Sequence, residues 1–287
     1  MARKPKAAPS RSGFPAHLLR SFKGFGRHNM LAHAGNLAFM GILAFFPFLI
    51  VLIALAGFFG RTEAGFDVIQ FVYGQVPGAI VAQVKGPIDL VMSETSGNIL
   101  TVSILIALWT TVRGTAAARA GVLAAYGISY RKAGHALLAV VIDFLVVLAL
   151  LLLIIVALAV LITGPTVVAA IEAWMPGHPA LAQYWAWARY GVSPLVLYIA
   201  LYGLYFAFVP RYGRKKLYHA PGALLALAIW FVMAAGFALY LQHLAGLNLL
   251  YGSLTGIIIL QLFIYLQSLG FLLGAELNAS YTEAANA

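Results

Sequence analysis

Four charged residues lie inside long apolar runs of the sequence, at Arg113, Arg119, Asp143 and Glu276. Ionisable side chains at membrane depth are costly, and they usually pair with one another or serve an ion or substrate pathway. Arg119 and Asp143 each lie about seven residues from the facing ends of consecutive apolar runs, roughly 10 Å deep at 1.5 Å per residue. Because consecutive spans joined by a short loop are antiparallel neighbours, we expect a buried Arg119–Asp143 ion pair.

Arg113 has no such obvious partner. It lies roughly 9 Å further along the same helix, on another face. A guanidinium at that depth is tolerable where water, a paired acid or an anionic ligand reaches it. We hypothesise a polar cavity, lined by Arg113 with Asn36, Gln261 and Glu276, that admits an anionic solute or a phospholipid headgroup. The alternative is a structural arginine bound to helix-terminal carbonyls or to Glu276.

Glu276 lies near the end of the last apolar run. A carboxylate close to a helix C-terminus opposes the helix macrodipole, so a basic group is expected beside it. The candidates are a residue of the second apolar run or the basic segment 211–216. The alternative is a solvated interfacial glutamate.

The motifs of soluble enzymes are missing from the chain. It contains no GxxxxGK[ST] loop, no HExxH, no GxSxG and no cysteine, and its seven histidines are scattered. These motifs carry nucleotide binding, zinc ligation and nucleophilic catalysis. We therefore expect no ATPase of its own, no metal or other cofactor, and no enzymatic activity.

The composition places these residues in a membrane protein. Of 287 residues, 63% are hydrophobic and only 9% are charged, with a mean hydropathy of +0.93. Soluble domains average about 45–50% apolar and roughly 25% charged residues. This excess of apolar surface excludes a soluble enzyme, a disordered protein and a secreted disulfide scaffold. The predicted fold class is an all-α, polytopic membrane protein.

Six transmembrane helices are predicted, because a span needs about 20 apolar residues. Their ranges are 34–59, 99–126, 136–163, 190–209, 223–241 and 254–277. They form a domain over 34–278, between a basic N-terminal segment at 1–33 and a short tail at 279–287. Pro47 lacks a backbone N–H, so a kink is expected in the first span.

Three segments between or before the spans suit the membrane surface. Residues 15–33 carry Leu18, Leu19, Phe22 and Phe25 among basic residues, which favours an amphipathic helix on an anionic inner leaflet, with a solvated leader as the alternative. Residues 61–97 read as two outer amphipathic helices or as a re-entrant hairpin. Residues 164–188 are predicted as a loop that carries an aromatic belt.

Basic residues collect on alternate sides of the predicted spans. The N-terminus, the 127–135 loop and the 210–219 loop hold seven, two and four Lys and Arg, against Arg61, Lys85 and Arg189 on the other side. Because Lys and Arg are retained in the cytoplasm, this bias predicts both termini there. It also explains the net charge of +10 without nucleic acid.

Small residues suggest close helix packing. Gly252-x-x-x-Gly256 and Gly270-x-x-x-Gly274 bracket the sixth predicted span, and a pore-lining stripe is the alternative role. Small-residue faces would also allow a homo-oligomer. The other expected partners are membrane lipids, including anionic ones, and no nucleic acid.

Several patterns between residues 20 and 280 are familiar together. They are Asn29-Met30, Ala34-Gly35-Asn36-Leu37-Ala38-Phe39, Leu108-Trp109, Arg113-Gly114 and Leu273-Gly274-Ala275-Glu276-Leu277-Asn278. They resemble the YihY/BrkB family of bacterial inner-membrane proteins, formerly labelled ribonuclease BN. The resemblance implies a six-span helical protein of the inner membrane, and some members carry a virulence-factor label.

Two functions remain open from the sequence. The first is an ATP-independent transporter or permease for an anionic solute or lipid. The second is a non-transporting membrane scaffold or envelope-maintenance protein whose buried charges lock the fold. An intramembrane or RNA-degrading enzyme ranks last, because the residues supply no metal-ligand set.

The charge bias predicts that residue 172 is outside and residue 133 is cytoplasmic. Single cysteines introduced as Glu172→Cys and Ala133→Cys can be labelled cleanly because the chain has no cysteine. An impermeant maleimide added to intact cells should label position 172 only. Labelling of position 172 only from the cytoplasmic side would overturn this topology.

Overall fold

The computed structural model describes residues 13–59, 97–128, 138–150, 152–153, 156, 180–210, 216–243 and 254–286. Within these ranges the chain forms seven helices and no strand. They are α1 (Phe14–Arg27), α2 (Met30–Phe59), α3 (Gly97–Ala125), α4 (Leu138–Leu150), α5 (Ala180–Phe208), α6 (Ala220–His243) and α7 (Leu254–Asn286). The expected all-helical class is confirmed for these residues, in line with apolar runs long enough for a helix to satisfy their backbone groups within the segment in lipid.

Two helical segments in the described ranges are long and apolar enough to cross a membrane, Ala220–Tyr240 and Ile257–Asn286. Only 17% of the most apolar stretch of the first is buried, and 33% of that of the second. Such exposure is unlike the core helix of a soluble protein, which hides its apolar side chains. Shorter apolar helices occur at Met30–Ala44, Leu138–Leu150 and Pro194–Phe208.

The helix boundaries differ most from the predicted spans in α5 and α7. α5 begins at Ala180, inside the segment predicted as a loop, so Pro194 lies in the helix interior. α7 continues past 277 to Asn286, so the predicted tail is mostly helical. Its 33 residues measure about 50 Å, which exceeds the hydrocarbon core of roughly 30 Å.

Other predictions concern residues that the structure does not describe or geometry that it leaves open. Segment 61–96, residues 164–179 and Gly252 lie outside the described residues. α2 continues through Pro47, and a kink there stays a prediction.

The predicted amphipathic helix before the first span is confirmed as α1. It ends at Arg27, and Asn29 then adopts a left-handed backbone conformation (φ 53°) before α2 begins. Asparagine tolerates this conformation better than most residues, which lets the chain change direction there. α1 has a docking face (buried His17, Ser21 and Gly24, with the half-buried His28 that follows), an exposed apolar face (Phe14, Leu19, Phe22) and a basic face (Arg20, Lys23, Arg27).

The chain divides into two compact units. The first consists of Met1–Phe39, Thr115–Leu150 and Pro194–Ala287, and the second of Met40–Gly114 and Leu151–Ser193. In the first unit, the core combines residues of α2, α3, α5, α6 and α7, including Met30, Val122, Tyr205 and Leu272. In the second unit, Gly114 lies on α3 at 4.0 Å from Met40 of α2, measured from an ideal Cβ at the glycine.

A close contact in the first unit brings the backbones of α6 and α7 together. A Cβ added to Gly222 would collide with the Gly274 carbonyl oxygen, and one added to Gly274 would lie 2.5 Å from the Gly222 carbonyl oxygen and 2.5 Å from the Tyr205 hydroxyl. The Gly222 N–H donates to Asn278 Oδ1 at 2.7 Å, and the Tyr205 hydroxyl donates to the Phe271 carbonyl at 2.6 Å. The predicted close packing at Gly270-x-x-x-Gly274 is confirmed, because Gly270 also abuts Ile229.

Gly274→Ala should therefore lower the free energy of unfolding by about 1–3 kcal/mol, because the new methyl group meets backbone that cannot move aside. Unfolding in detergent, followed by circular dichroism, measures the change. Gly236→Ala is the matched control, since its Cβ would meet no atom within 4 Å. The control should be neutral or stabilising by up to about 1 kcal/mol through helix propensity. Equal effects of the two substitutions would contradict the close packing.

Candidate functional site

The structure brings Arg119 of α3 and Asp143 of α4 together. Arg119 Nη2 donates to Asp143 Oδ2 at 2.9 Å, and the two residues are 4% and 1% exposed. Asp143 Oδ1 accepts no hydrogen bond from the described part of the chain. A buried charge without its counter-charge is strongly destabilising, so each of these residues depends on the other. The pair is a fixed feature of the first unit.

Glu276 of α7 is also buried, but its partner is one that the sequence analysis missed. His28 Nδ1 lies 2.7 Å from Glu276 Oε1, and a Cβ on Gly24 would collide with the same carboxylate. The base bonded to Glu276 in the described part of the chain therefore comes from the end of α1 and not from α3, whereas residues 211–215 lie outside the described residues. The signal in the sequence was the spacing of His17, Ser21, Gly24 and His28, which places them on one helix face.

The macrodipole argument about Glu276 is wrong. α7 continues to Asn286, so Glu276 lies well before the helix end. The dipole acts mainly within the last turn, and the carboxylate is outside that turn. Burying the Glu276 carboxylate against α1 costs free energy, and the contact with His28 offsets that cost.

The C-terminal end of α7 is held from two sides. On one side, His17 of α1 bonds Ser280 Oγ through Nδ1 at 2.9 Å and stacks on Tyr281 with ring centroids 4.0 Å apart. On the other side, the Tyr218 N–H donates to Thr282 Oγ1 at 3.1 Å, and Tyr126 at the end of α3 donates to the Tyr218 carbonyl at 3.2 Å. We call this set of α1, segment 216–222 and residues 276–286 the α7 cap.

His219 belongs to the same segment and is buried. Its ring meets Tyr202 and Phe206 edge-on, with centroids 5.8 Å away in each case. Burial lowers the pKa of the His219 imidazole, because the charged form is the less well solvated one. His219 is a packing residue of the α7 cap.

Arg113 belongs to the second unit and differs from the other three charged residues inside the apolar runs. Its side chain is exposed, and its guanidinium carbon lies 5.7 Å from the Trp109 ring centroid, within cation–π range. Within the described residues it forms no ion pair. Arg113 therefore has an aromatic neighbour and a charge that no described acid balances.

The other members of the hypothesised cavity are in the first unit. Asn36 is exposed on α2, Gln261 on α7 is partly buried with no hydrogen bond to its Oε1 from the described residues, and Glu276 is bonded to His28. A cavity that joins these residues to Arg113 stays a prediction. The described ranges contain no group of three or more His, Cys, Asp and Glu able to hold a metal ion.

Comparison with known proteins decides the family. The family model described as virulence factor BrkB matches residues 21–287. The chain belongs to the BrkB family. Relatives that resemble it are described as membrane proteins, in line with the apolar, exposed helices, and the chain is an integral membrane protein.

Relatives differ in how much of the chain they match. The ribonuclease-like protein YfkH of Bacillus subtilis is 26% identical over 90% of this chain and 92% of its own length. The UPF0761 membrane protein of Pseudoalteromonas translucida is 40% identical over 31% of this chain and 28% of its own length. A UPF0761 membrane protein of Xanthomonas campestris is 32% identical over 34% of this chain and 23% of its own length. No solved structure matches the chain.

The Arg119–Asp143 pair makes a stability prediction for this BrkB-family protein. Asp143→Asn and Arg119→Gln should each lower the free energy of unfolding by about 3–5 kcal/mol, by analogy with soluble buried pairs, because one charge is left without its partner. Combining the two should cost less than the sum of the single losses. Glu283→Gln, at an exposed position of α7, is the control and should change stability little. Two silent single variants would contradict a buried pair.

Proposed function

We propose that the protein is an ATP-independent transporter or permease that moves an anionic solute or lipid across the inner membrane, without enzymatic activity. The proposal rests on the position of Arg113. Its guanidinium lies on an apolar 29-residue helix and forms no ion pair among the described residues. An arginine in that position needs water or an anion.

Few acidic residues of the chain could serve as a pairing partner for Arg113. Of the eight Asp and Glu, five fall in segments that the sequence places outside the membrane: Glu63, Asp67, Asp89, Glu94 and Glu172. Asp143 is bonded to Arg119, and Glu276 to His28. The last, Glu283, lies near the end of α7, beyond the predicted sixth span. The charge of Arg113 is thus available for an anion that comes and goes.

A planar guanidinium suits phosphate or carboxylate groups. Its N–H donors form two parallel hydrogen bonds with such a group, which a lysine cannot reproduce. The cation–π contact with Trp109 uses the face of the guanidinium. The N–H donors at its edge therefore stay available for these hydrogen bonds. Phospholipid headgroups and small organic anions share this chemistry.

The proposed topology has six spans with both termini in the cytoplasm. The contacts of the α7 cap support it, because they join the segments that the charge bias assigns to one side. These are the N-terminal helix, the end of α3, segment 216–222 and the end of α7, which meet at His17–Ser280, Tyr126–Tyr218 and Tyr218–Thr282. Segments that bond one another must lie on the same side of the membrane.

A scaffold or envelope-maintenance role is the second candidate, and the paired charges of the first unit favour it. Arg119–Asp143 and His28–Glu276 are both closed contacts that stabilise the fold. In a scaffold protein, a lipid headgroup balances the charge of Arg113, and no solute or lipid is transported. A flux measurement separates the two functions.

The test uses the full-length protein in sealed liposomes with two probes, fluorescent phosphatidylglycerol and inorganic phosphate. One of these probes should cross faster than in protein-free liposomes. Arg113→Ala should slow it about 10- to 100-fold, the factor expected from losing a charged hydrogen bond. Arg113→Lys should recover little of the rate, because bidentate contact is lost.

Lys216→Ala is the control, since it removes the same charge at an exposed position. Its flux should equal that of the unchanged protein, and all variants should keep their unfolding temperature. A folded protein that moves neither probe would contradict the transport proposal and support the scaffold. Equal flux for Arg113→Ala and Lys216→Ala would exclude a role for Arg113.

A further inference from the structure

We propose that α1 is a binding site for anionic phospholipids at the inner surface of the membrane. The side of the membrane rests on the proposed topology, whereas the site itself rests on α1 and its docking on α7 and does not depend on transport. The proposed ligand is the leaflet that surrounds the protein, whose headgroups and upper acyl chains contact α1.

The docking face fixes how α1 is turned. His17 bonds Ser280, His28 bonds Glu276, and Gly24 packs directly on the Glu276 carboxylate. These contacts occur at both ends and in the middle of the helix, so α1 cannot rotate about its axis. The orientation of the two remaining faces is therefore set by the protein and not by the lipid.

The apolar face is left uncovered by the described residues. Phe14, Leu19 and Phe22 are 51%, 58% and 57% exposed. Burying large aromatic and aliphatic side chains stabilises by about 1.5–3 kcal/mol each, so water is an unfavourable surrounding for all three. An acyl region next to the helix supplies the missing apolar contact.

The basic face follows the apolar face around the helix. Arg20, Lys23 and Arg27 are exposed, and none forms an ion pair within the described residues. A helix that places apolar and basic sectors side by side fits the boundary between acyl chains and headgroups. Phosphate groups of anionic lipids complement the three charges, which zwitterionic lipids do less well.

The test places a reporter on α1 of the full-length protein in lipid nanodiscs. Gly26→Cys carries a fluorophore, since a side chain there meets no atom within 4 Å and lies four residues after Phe22 on the apolar face. Gly236→Cys on α6 is the matched reporter, because it is equally free of neighbours. Quenching by brominated phosphatidylglycerol is compared with quenching by brominated phosphatidylcholine.

At position 26, phosphatidylglycerol should be preferred by about fivefold or more, the contribution of at least one basic side chain near an anionic surface. At position 236 the preference should be close to one. The combined variant Arg20→Gln, Lys23→Gln, Arg27→Gln should reduce the preference at position 26 to that level, whereas Lys216→Gln should not. Added salt should also weaken it, as for any exposed charge contact.

Three results would overturn the proposal. The first is no quenching at position 26 by either lipid, which would place α1 in water. The second is a preference that survives in the combined Gln variant. The third is binding of a labelled single-stranded RNA that the combined variant loses while its lipid preference is unchanged, which would assign the basic face to nucleic acid.

Discussion

The backbone contact between Gly222 of α6 and Gly274 of α7 is the constraint on which the rest of the first unit depends. In lipid the apolar side chains of neighbouring helices gain little from leaving their surroundings, so association relies on close packing and hydrogen bonds. Both are present here, since the glycines let the backbones meet and Asn278 accepts from the Gly222 N–H. A side chain at either glycine would push α6 and α7 apart, and one at Gly274 would also meet the Tyr205 hydroxyl of α5.

The position of α7 in turn determines where the charges can lie. Residues 270–282 of α7 are mostly buried and carry polar groups, including Glu276, Ser280 and Thr282. Each of these groups bonds an element outside α7, so the C-terminal end of α7 connects α1 with segment 216–222. Because α1 is attached in this way, the orientation of its exposed faces toward the membrane surface follows from the packing of α7.

The charged residues separate into two classes with different physical roles. Arg119–Asp143 and His28–Glu276 are internal pairs, in which the cost of burial is offset within the protein. Arg113 is exposed beside Trp109 and carries a charge that must be balanced from outside the described residues. Only a charge of the second class can exchange one anion for another, which is why the proposed transport depends on Arg113.

The sequence by itself determined the helical membrane class, because an apolar content this high leaves few other folds, and it paired Arg119 with Asp143 from equal depth in consecutive spans. It did not reveal that His28 bonds Glu276, since these residues lie 248 positions apart and only the docking of α1 on α7 joins them. The sequence also did not reveal that α7 continues to Asn286. The polar residues at its end are typical of a solvated tail, and their partners are not evident from the sequence. Local composition decides which segments are helical and apolar, whereas the partners of polar groups depend on which helices pack together.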